Sequence, residues 1–155
     1  MRFAYLSLGS NVGDRKAHFD AAIPLVAGGD RYRLSNVYET EPVGGVAQDD
    51  YWNMVIELET NASPRALIGR ARRAEEARQR TRESRWGPRT LDVDVLLVGD
   101  EVSDDPEILV PHPRLYERSF VLVPLRELAP GLVSEAQVAA SAGRVVELGT
   151  LESLR

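Results

Sequence analysis

Two aspartates separated by one residue are the most informative feature of the sequence. Asp92 and Asp94 interrupt an apolar run over residues 91–98, which is typical of a strand. Side chains two positions apart on a strand point to the same face, so the carboxylates are expected roughly 7 Å apart on one face. Like charges this close repel one another unless cations lie between them, and carboxylate oxygens suit Mg²⁺. The pair therefore indicates a magnesium site.

Arginines accumulate in the 25 residues from 65 to 89, just before the pair, in a chain whose only lysine is Lys16. The guanidinium fork matches phosphate oxygens, so arginines beside paired carboxylates are typical of a site for a magnesium-bound nucleotide. The arginines nearest the pair are the phosphate candidates, and the upstream ones are expected to form a solvated helix face. The candidates are Arg80, Arg82 and Arg85; the solvated positions are Arg65, Arg70, Arg73 and Arg78.

A solvated strand face is the competing interpretation of the aspartate pair, and it is the usual origin of a bare Asp-x-Asp. The residues that precede the pair favour a site instead. Trp86 offers a flat ring, Gly87 and Pro88 constrain the backbone, and Arg89 adds a cation next to the strand. Both interpretations stay open at this point.

Length and composition bound the class of protein. The 155 residues are 43% hydrophobic and 28% charged, which predicts one globular domain over residues 1–155. Cysteine is absent, which excludes disulfides and a cysteine zinc site. The apolar runs are shorter than the ~20 residues of a membrane span, and a signal-peptide pattern is missing, so a cytoplasmic protein is expected. The net charge of −5 argues against a general nucleic-acid binder.

The elements that must position these residues follow from capping and periodicity. Asp14 is placed to cap a helix over about 15–27, and Ser63 to cap one that begins at Pro64. Alternation predicts strands over 2–8, 31–38, 51–59, 90–98 and 107–111, a buried segment or short helix over 120–128, and a last strand at 145–148 in a tail with little signal from 134. The order strand, helix, strand, strand, helix, strand predicts an α+β fold, a ferredoxin-like α/β sandwich with a mainly antiparallel sheet and helices on one face.

Further candidates lie on two other segments. Tyr51 and Asn53 share a strand face, so an aromatic ring beside an amide could hold a flat heterocycle, although an Asn that satisfies a neighbouring loop is the alternative. His112 is held rigidly between two prolines near an arginine. Arg118 and Phe120 follow at alternate positions, and the phenyl ring could form a second plate.

One polar segment and one histidine are expected to have no role in a site. Residues 9–11 (GSN) follow the first strand, but the phosphate-loop pattern and its lysine are missing, so a tight turn between strand and helix is expected. His18, the other histidine, is expected at the surface of the first helix.

Over residues 3–130, several segments resemble, in the same order along the chain, those of the 6-hydroxymethyl-7,8-dihydropterin pyrophosphokinase family (2-amino-4-hydroxy-6-hydroxymethyldihydropteridine diphosphokinase). The matching segments are 8–15 (LGSNVGDR), 38–42 (YETEP), 51–53 (YWN), 85–94 (RWGPRTLDVD), 110–114 (VPHPR) and 118–125 (RSFVLVPL). The segment at 85–94 is highly specific, whereas the tail after 134 carries no match.

The resemblance implies an enzyme of folate biosynthesis that transfers pyrophosphate from ATP to the pterin hydroxymethyl group and releases AMP. It implies two Mg²⁺ ions at Asp92 and Asp94, and small-molecule substrates without a nucleic-acid or membrane partner, in a monomer. Arg82 and Arg89 would stabilise charge on the transferring group, assisted by Arg80. At the nucleotide the resemblance places Arg72, Glu75, Arg85, Trp86, Val95 and Leu109, with His112 and Arg118 at the phosphates. At the pterin it places Thr40, Pro42, Val43, Tyr51, Asn53 and Phe120.

Two other classes of function stay open. One is a metal-dependent nucleic-acid enzyme that uses the arginine-rich segment, against which the acidic balance counts. The other is a non-catalytic ferredoxin-like domain that binds a ligand or a partner. Formation of AMP from ATP, rather than ADP, would distinguish the pyrophosphokinase.

Overall fold

The computed structural model describes residues 1–41, 50–78 and 90–155. In chain order, the elements are β1 (Arg2–Ser10), α1 (Arg15–Ala27), β2 (Arg31–Leu34), β3 (Val37–Thr40), β4 (Tyr51–Thr60), α2 (Pro64–Arg78), β5 (Asp92–Val98), α3 (Ser119–Leu128), α4 (Glu135–Ala140), β6 (Val145–Gly149) and a 3-10 turn (Leu151–Ser153). Among the helices of these ranges, none combines the length and the apolar character that a membrane span needs.

An antiparallel sheet of six strands forms the centre of the fold. Its order is β5-β1-β4-β3-β6, and β2 pairs with the far end of β4. The predicted strand 31–38 is interrupted because the Ser35 Oγ accepts the Val55 N–H at 2.8 Å, in place of a backbone carbonyl. Taken together, β2 and β3 fill one position beside β4, so the predicted ferredoxin-like strand order and α+β class are confirmed.

The two faces of the sheet are covered by different helices. On one face, Leu6 of β1 and Ile56 of β4 pack with Phe19 of α1 and Leu67 of α2. On the other face, Tyr5 of β1 and Val55 of β4 pack with Val121 and Leu122 of α3. The prediction that the helices lie on one face is therefore wrong. The physical reason is that β4 is buried on both sides, because its second side carries the apolar Val55 and the buried Glu57 in addition to polar positions.

Helix capping follows the sequence closely. The Asp14 carboxylate accepts the Ala17 N–H at 3.0 Å, and α1 ends at Gly28 in the left-handed conformation (φ 56°). The Ser63 Oγ accepts the Ala66 N–H at 3.1 Å at the start of α2. The predicted helices at 15–27 and from 64 are confirmed.

Other local predictions met mixed outcomes. The helix over 120–128 and the last strand are confirmed as α3 and β6. The predicted strand at 107–111 is wrong, since only an isolated bridge joins Ser103 to Val110. The short helix α4 was not predicted because it has only six residues and none is fully buried, so it shows no apolar stripe.

One arginine that was expected to be solvated holds a helix end. Arg70 donates to the carbonyls of Val26 and Ala27, at 3.2 and 3.0 Å, and to the Asp30 carboxylate at 2.9 Å. Its side chain is only 16% exposed. Arg70 therefore donates to two carbonyls at the end of α1, of which that of Ala27 also accepts the Asp30 N–H, and the solvated interpretation is wrong at this position.

A buried carboxylate connects α3 to the sheet. Glu57 of β4 accepts the Tyr5 hydroxyl at 2.8 Å and two Arg33 N–H groups at 2.8 and 3.0 Å. Arg33 also donates to the Leu128 carbonyl at the end of α3. Burial raises the pKa of Glu57, but the hydrogen bonds from Arg33 and Tyr5 outweigh it, so the pKa lies below its ordinary value.

Candidate active site

Asp92 and Asp94 lie on one face of β5. Asp92 is half-buried and Asp94 exposed, whereas Val93 between them is buried in the core beneath α1 and α2. Across the ladder, Asp92 pairs with Gly9 and Asp94 with Ser7. The predicted strand and the shared face of the two carboxylates are confirmed; their role as metal ligands stays a prediction.

A row of residues crosses the sheet from this pair. Gly9 lies between Asp92 on β5 and Asn53 on β4. The buried Asn53 amide donates to the Thr40 Oγ1 at 2.8 Å. A Cβ at Gly9 would lie only 2.8 Å from the Asn53 Oδ1, so the missing side chain makes room for this amide. Tyr51 follows on the same face as Asn53, half-buried.

Gly9 was expected in a turn and lies instead inside β1, which extends to Ser10. The strand continues because Gly9 is paired on both sides. An isolated glycine at the end of an apolar strand marks a close approach of another group, and this signal could have found the position.

His112 is fixed against the outer edge of β5. The backbone N–H of His112 donates to the Leu96 carbonyl at 2.9 Å, and the ring Nδ1 accepts the backbone N–H of Arg114 at 3.1 Å. Burial lowers the pKa of His112, the charge of Asp94 raises it, and Arg118 and Arg114 lower it, with a net fall. The ring is therefore neutral near pH 7, and its Nε2 carries the proton.

Arg118 occupies the same corner. It immediately precedes α3, is half-buried, and its Cζ lies 5.5 Å from the centre of the Phe120 ring. Burial and the neighbouring Arg114 lower the pKa of Arg118, whereas Asp94 raises it. The structure thus brings Asp94, His112, Arg118 and Phe120 together.

Glu75 and Val95, two of the predicted nucleotide residues, lie at the outer edge of β5. Glu75 of α2 accepts the Val93 N–H at 3.0 Å, on the side of the strand away from β1. Arg72 is exposed one helical turn earlier, and Leu109 is 40% exposed. The Val95 side chain is buried in the core, so only its backbone can meet a ligand.

Two residues that were not predicted at the site support its rim. Arg15 at the start of α1 donates to the Asp50 carbonyl at 2.8 Å and lies 4.5 Å over the Trp52 ring. His18 links two elements: its Nδ1 accepts the Arg78 Nε–H at 3.0 Å, and its Nε2 lies 2.9 Å from the Val12 carbonyl.

The expectations of a surface His18 and a solvated Arg78 are therefore wrong. The ring is half-buried, and burial lowers its pKa, which favours the neutral form that accepts from Arg78. The partners are sixty residues apart, so no local pattern indicates the contact.

Several predicted site residues lie outside the described ranges. They are Pro42, Val43, Arg80, Arg82, Arg85, Trp86 and Arg89. Among the residues that the structure describes, no group of three or more histidine, aspartate or glutamate side chains could hold a metal ion alone.

Comparison with known proteins identifies the family. The 7,8-dihydro-6-hydroxymethylpterin-pyrophosphokinase family matches residues 5–130. Relatives named 2-amino-4-hydroxy-6-hydroxymethyldihydropteridine pyrophosphokinase occur in Bacillus subtilis, at 43% identity over 136 residues (86% of this chain and 81% of the relative), and in Methylorubrum extorquens, at 42% over 137 residues (86% of each). One from Haemophilus influenzae is 38% identical over 133 residues, 84% of this chain and 83% of the relative. The chain therefore belongs to the 7,8-dihydro-6-hydroxymethylpterin-pyrophosphokinase family of enzymes.

Proposed function

We propose that the chain transfers the terminal pyrophosphoryl group of ATP to the hydroxymethyl oxygen of 6-hydroxymethyl-7,8-dihydropterin and releases AMP, in folate biosynthesis. The hydroxymethyl oxygen bonds to the β-phosphorus and loses its proton, while the bond from that phosphorus to the oxygen shared with the α-phosphate breaks. The observation that carries the proposal is the carboxylate pair of Asp92 and Asp94, beside the Asn53 amide and close to His112 and Arg118.

Asp92 and Asp94 fit two Mg²⁺ ions that are shared with a triphosphate. Magnesium usually binds one or two carboxylates together with substrate phosphates, rather than a cage of protein ligands. The described residues offer such a pair without a larger cluster, and the pair faces away from the apolar core of α1 and α2. When bound, the ions would neutralise the triphosphate and polarise its β-phosphorus.

Asn53 is suited to read the polar edge of the pterin. An amide has two N–H donors and an accepting oxygen. Asn53 can therefore donate one N–H to Thr40 and form hydrogen bonds to the pterin with its other N–H and its oxygen. Tyr51 and Phe120, both half-buried, would stack on the two faces of the ring. Pro42 and the Val43 backbone would complete this pocket, on the basis of the sequence.

The outer edge of β5 is suited to the nucleotide. The backbone N–H and C=O groups of successive residues in a strand point to opposite edges. The groups of Val95 therefore point to the same edge as those of Val93. Glu75 already contacts this edge, and Leu109 would offer an apolar surface to the base while Arg72, Arg85 and Trp86 would complete the nucleotide site. His112 would donate from Nε2 to a phosphate oxygen, and Arg118 would bind one as a cation.

Positioning and charge neutralisation dominate phosphoryl-type transfer, so no covalent nucleophile is required. This agrees with a chain that has no cysteine. Arg82 and Arg89 would stabilise the charge of the transferring group, with assistance from Arg80. We further propose that the chain acts as a monomer and a single domain on small molecules, without nucleic-acid or membrane partners.

The test is the product formed from ATP, Mg²⁺ and the reduced hydroxymethylpterin, separated by anion-exchange chromatography. AMP is expected, and ADP would refute pyrophosphoryl transfer. Asp94→Ala should lower turnover about 1,000-fold, because it removes several kcal/mol of metal-assisted stabilisation. The matched control is Asp100→Ala, an exposed aspartate in the turn after β5, which should leave turnover unchanged. Near-normal AMP formation by a folded Asp94→Ala variant would contradict the metal assignment.

A further inference from the structure

A short piece of the C-terminal tail lies directly against the backbone on both sides of Arg118. The Ser119 N–H donates to the Ala142 carbonyl at 2.9 Å, and the Ala142 N–H donates to the Glu117 carbonyl at 2.9 Å. The two bonds form a parallel bridge between Arg118 and Ala142. Ser141 and Ala142 are called the clasp below.

A side-chain hydrogen bond reinforces the clasp. The Ser119 Oγ lies 2.7 Å from the Ser141 Oγ, and the Ser141 Oγ donates to the Val138 carbonyl at 2.6 Å. A hydroxyl has one hydrogen, so Ser119 must be the donor in the bond between the two serines. Ser119 is only 6% exposed, and removal of its acceptor would leave a buried hydroxyl unpaired.

The same stretch of tail continues to the other flank of the site. After the clasp, Val145 pairs with Thr40 and Val146 with Glu39 as β6 joins the sheet. The segment therefore spans from the corner of Arg118 to the strand that carries Thr40. It lies beyond residues 5–130, the range over which the family matches.

We propose that the clasp positions Arg118 for the reaction. Arg118 makes no side-chain capping bond at the start of α3, so the direction of its long side chain depends on the backbone that carries it. The clasp fixes that backbone on both sides, and thereby sets the guanidinium over the Phe120 ring and near Asp94. This inference rests on the proposed function, in which Arg118 binds an ATP phosphate.

The test compares three single variants of the full chain. Ser141→Ala should lower kcat/KM for ATP about three- to tenfold, the range expected for one lost hydrogen bond, with less effect on KM for the pterin. Ser141→Thr keeps the hydroxyl and should retain activity. The matched control is Ser153→Ala, whose hydroxyl bonds to the Thr150 carbonyl in the final turn, and which should leave kcat/KM unchanged. Thermal unfolding of each variant establishes that it is folded, and Ser119→Ala tests the same bond if Ser141→Ala does not fold.

The decisive measurement is a double-mutant cycle with Arg118→Ala. If the clasp acts through Arg118, Ser141→Ala should have no further effect on kcat/KM once Arg118 is replaced. An equal loss in both backgrounds, or no loss with Arg118 present, would overturn the inference and leave the proposed function intact. If Arg118→Ala alone left kcat/KM unchanged, the phosphate role of Arg118 would fail, and the clasp proposal would fail with it.

Discussion

A single methyl group at Gly9 should disturb pterin recognition selectively. A Cβ there would lie 2.8 Å from the Asn53 Oδ1, closer than the 3.4 Å at which ordinary contacts begin, so the oxygen must move by roughly half an ångström. Gly9 is not among the glycines with positive φ, and Gly9→Ala therefore brings no backbone strain. The perturbation falls on the amide that we propose as the pterin reader.

The size of the effect follows from the hydrogen bonds of Asn53. A displaced amide weakens its 2.8 Å bond to Thr40 and presents its remaining groups in the wrong direction. A disrupted hydrogen bond at a buried site costs about 1–3 kcal/mol, which corresponds to about five- to 150-fold in affinity. We therefore expect Gly9→Ala to raise KM for the pterin within this range, and KM for ATP by less than about twofold.

The assay is steady-state AMP release with one substrate varied and the other saturating. Gly131→Ala is the matched control, because a Cβ at Gly131 would have no atom within 4 Å. In an Asn53→Ala background the clash disappears, so Gly9→Ala should add no further loss. An unchanged KM for the pterin in folded Gly9→Ala, or an equal rise in KM for both substrates, would refute the reasoning.

Two predictions concern stability, measured by urea unfolding. The pKa of Glu57 is lowered on folding, so its charge stabilises the fold above the unfolded pKa of ~4.3, and this contribution is lost as the pH falls through the folded value. Glu57→Gln should be less stable at pH 7 and lose less stability between about pH 5 and pH 3; an unchanged acid dependence would contradict this. Arg70→Ala should cost about 2 kcal/mol, because the Val26 and Ala27 carbonyls and the Asp30 carboxylate each lose a hydrogen bond. The exposed Arg73→Ala should cost less than about 0.5 kcal/mol, and equal costs would exclude the helix-end role.

The parts of the fold that the sequence predicts well are those decided by neighbouring residues. Asp14 and Ser63 cap the helices that follow them, because a cap needs only its own side chain and an N–H three residues later. The shared face of Asp92 and Asp94 follows from the two-residue period of a strand. These features are available before any tertiary contact is known.

Features that depend on distant partners were missed. Ser35 interrupts a predicted strand because its hydroxyl reaches Val55, and His18 leaves the surface because Arg78 donates to it. The second helical layer was missed for a related reason. The apolar side chains of β4 alternate with mostly polar ones, which indicates one covered face. Glu57 on the other face is nevertheless buried, because Tyr5 and Arg33 bond to it from distant parts of the chain.

The clasp shows why the tail has little signal and still belongs to the site. Two of its bonds use the N–H and C=O of Ala142, groups that nearly every residue carries, so a side-chain pattern cannot reveal them. Groups that meet a ligand need particular chemistry, as we propose for the carboxylates of Asp92 and Asp94, whereas a group that holds the backbone of Arg118 needs only the right backbone path. Motifs therefore identify the residues that face the ligand, and only the packed chain reveals which segment keeps them in place.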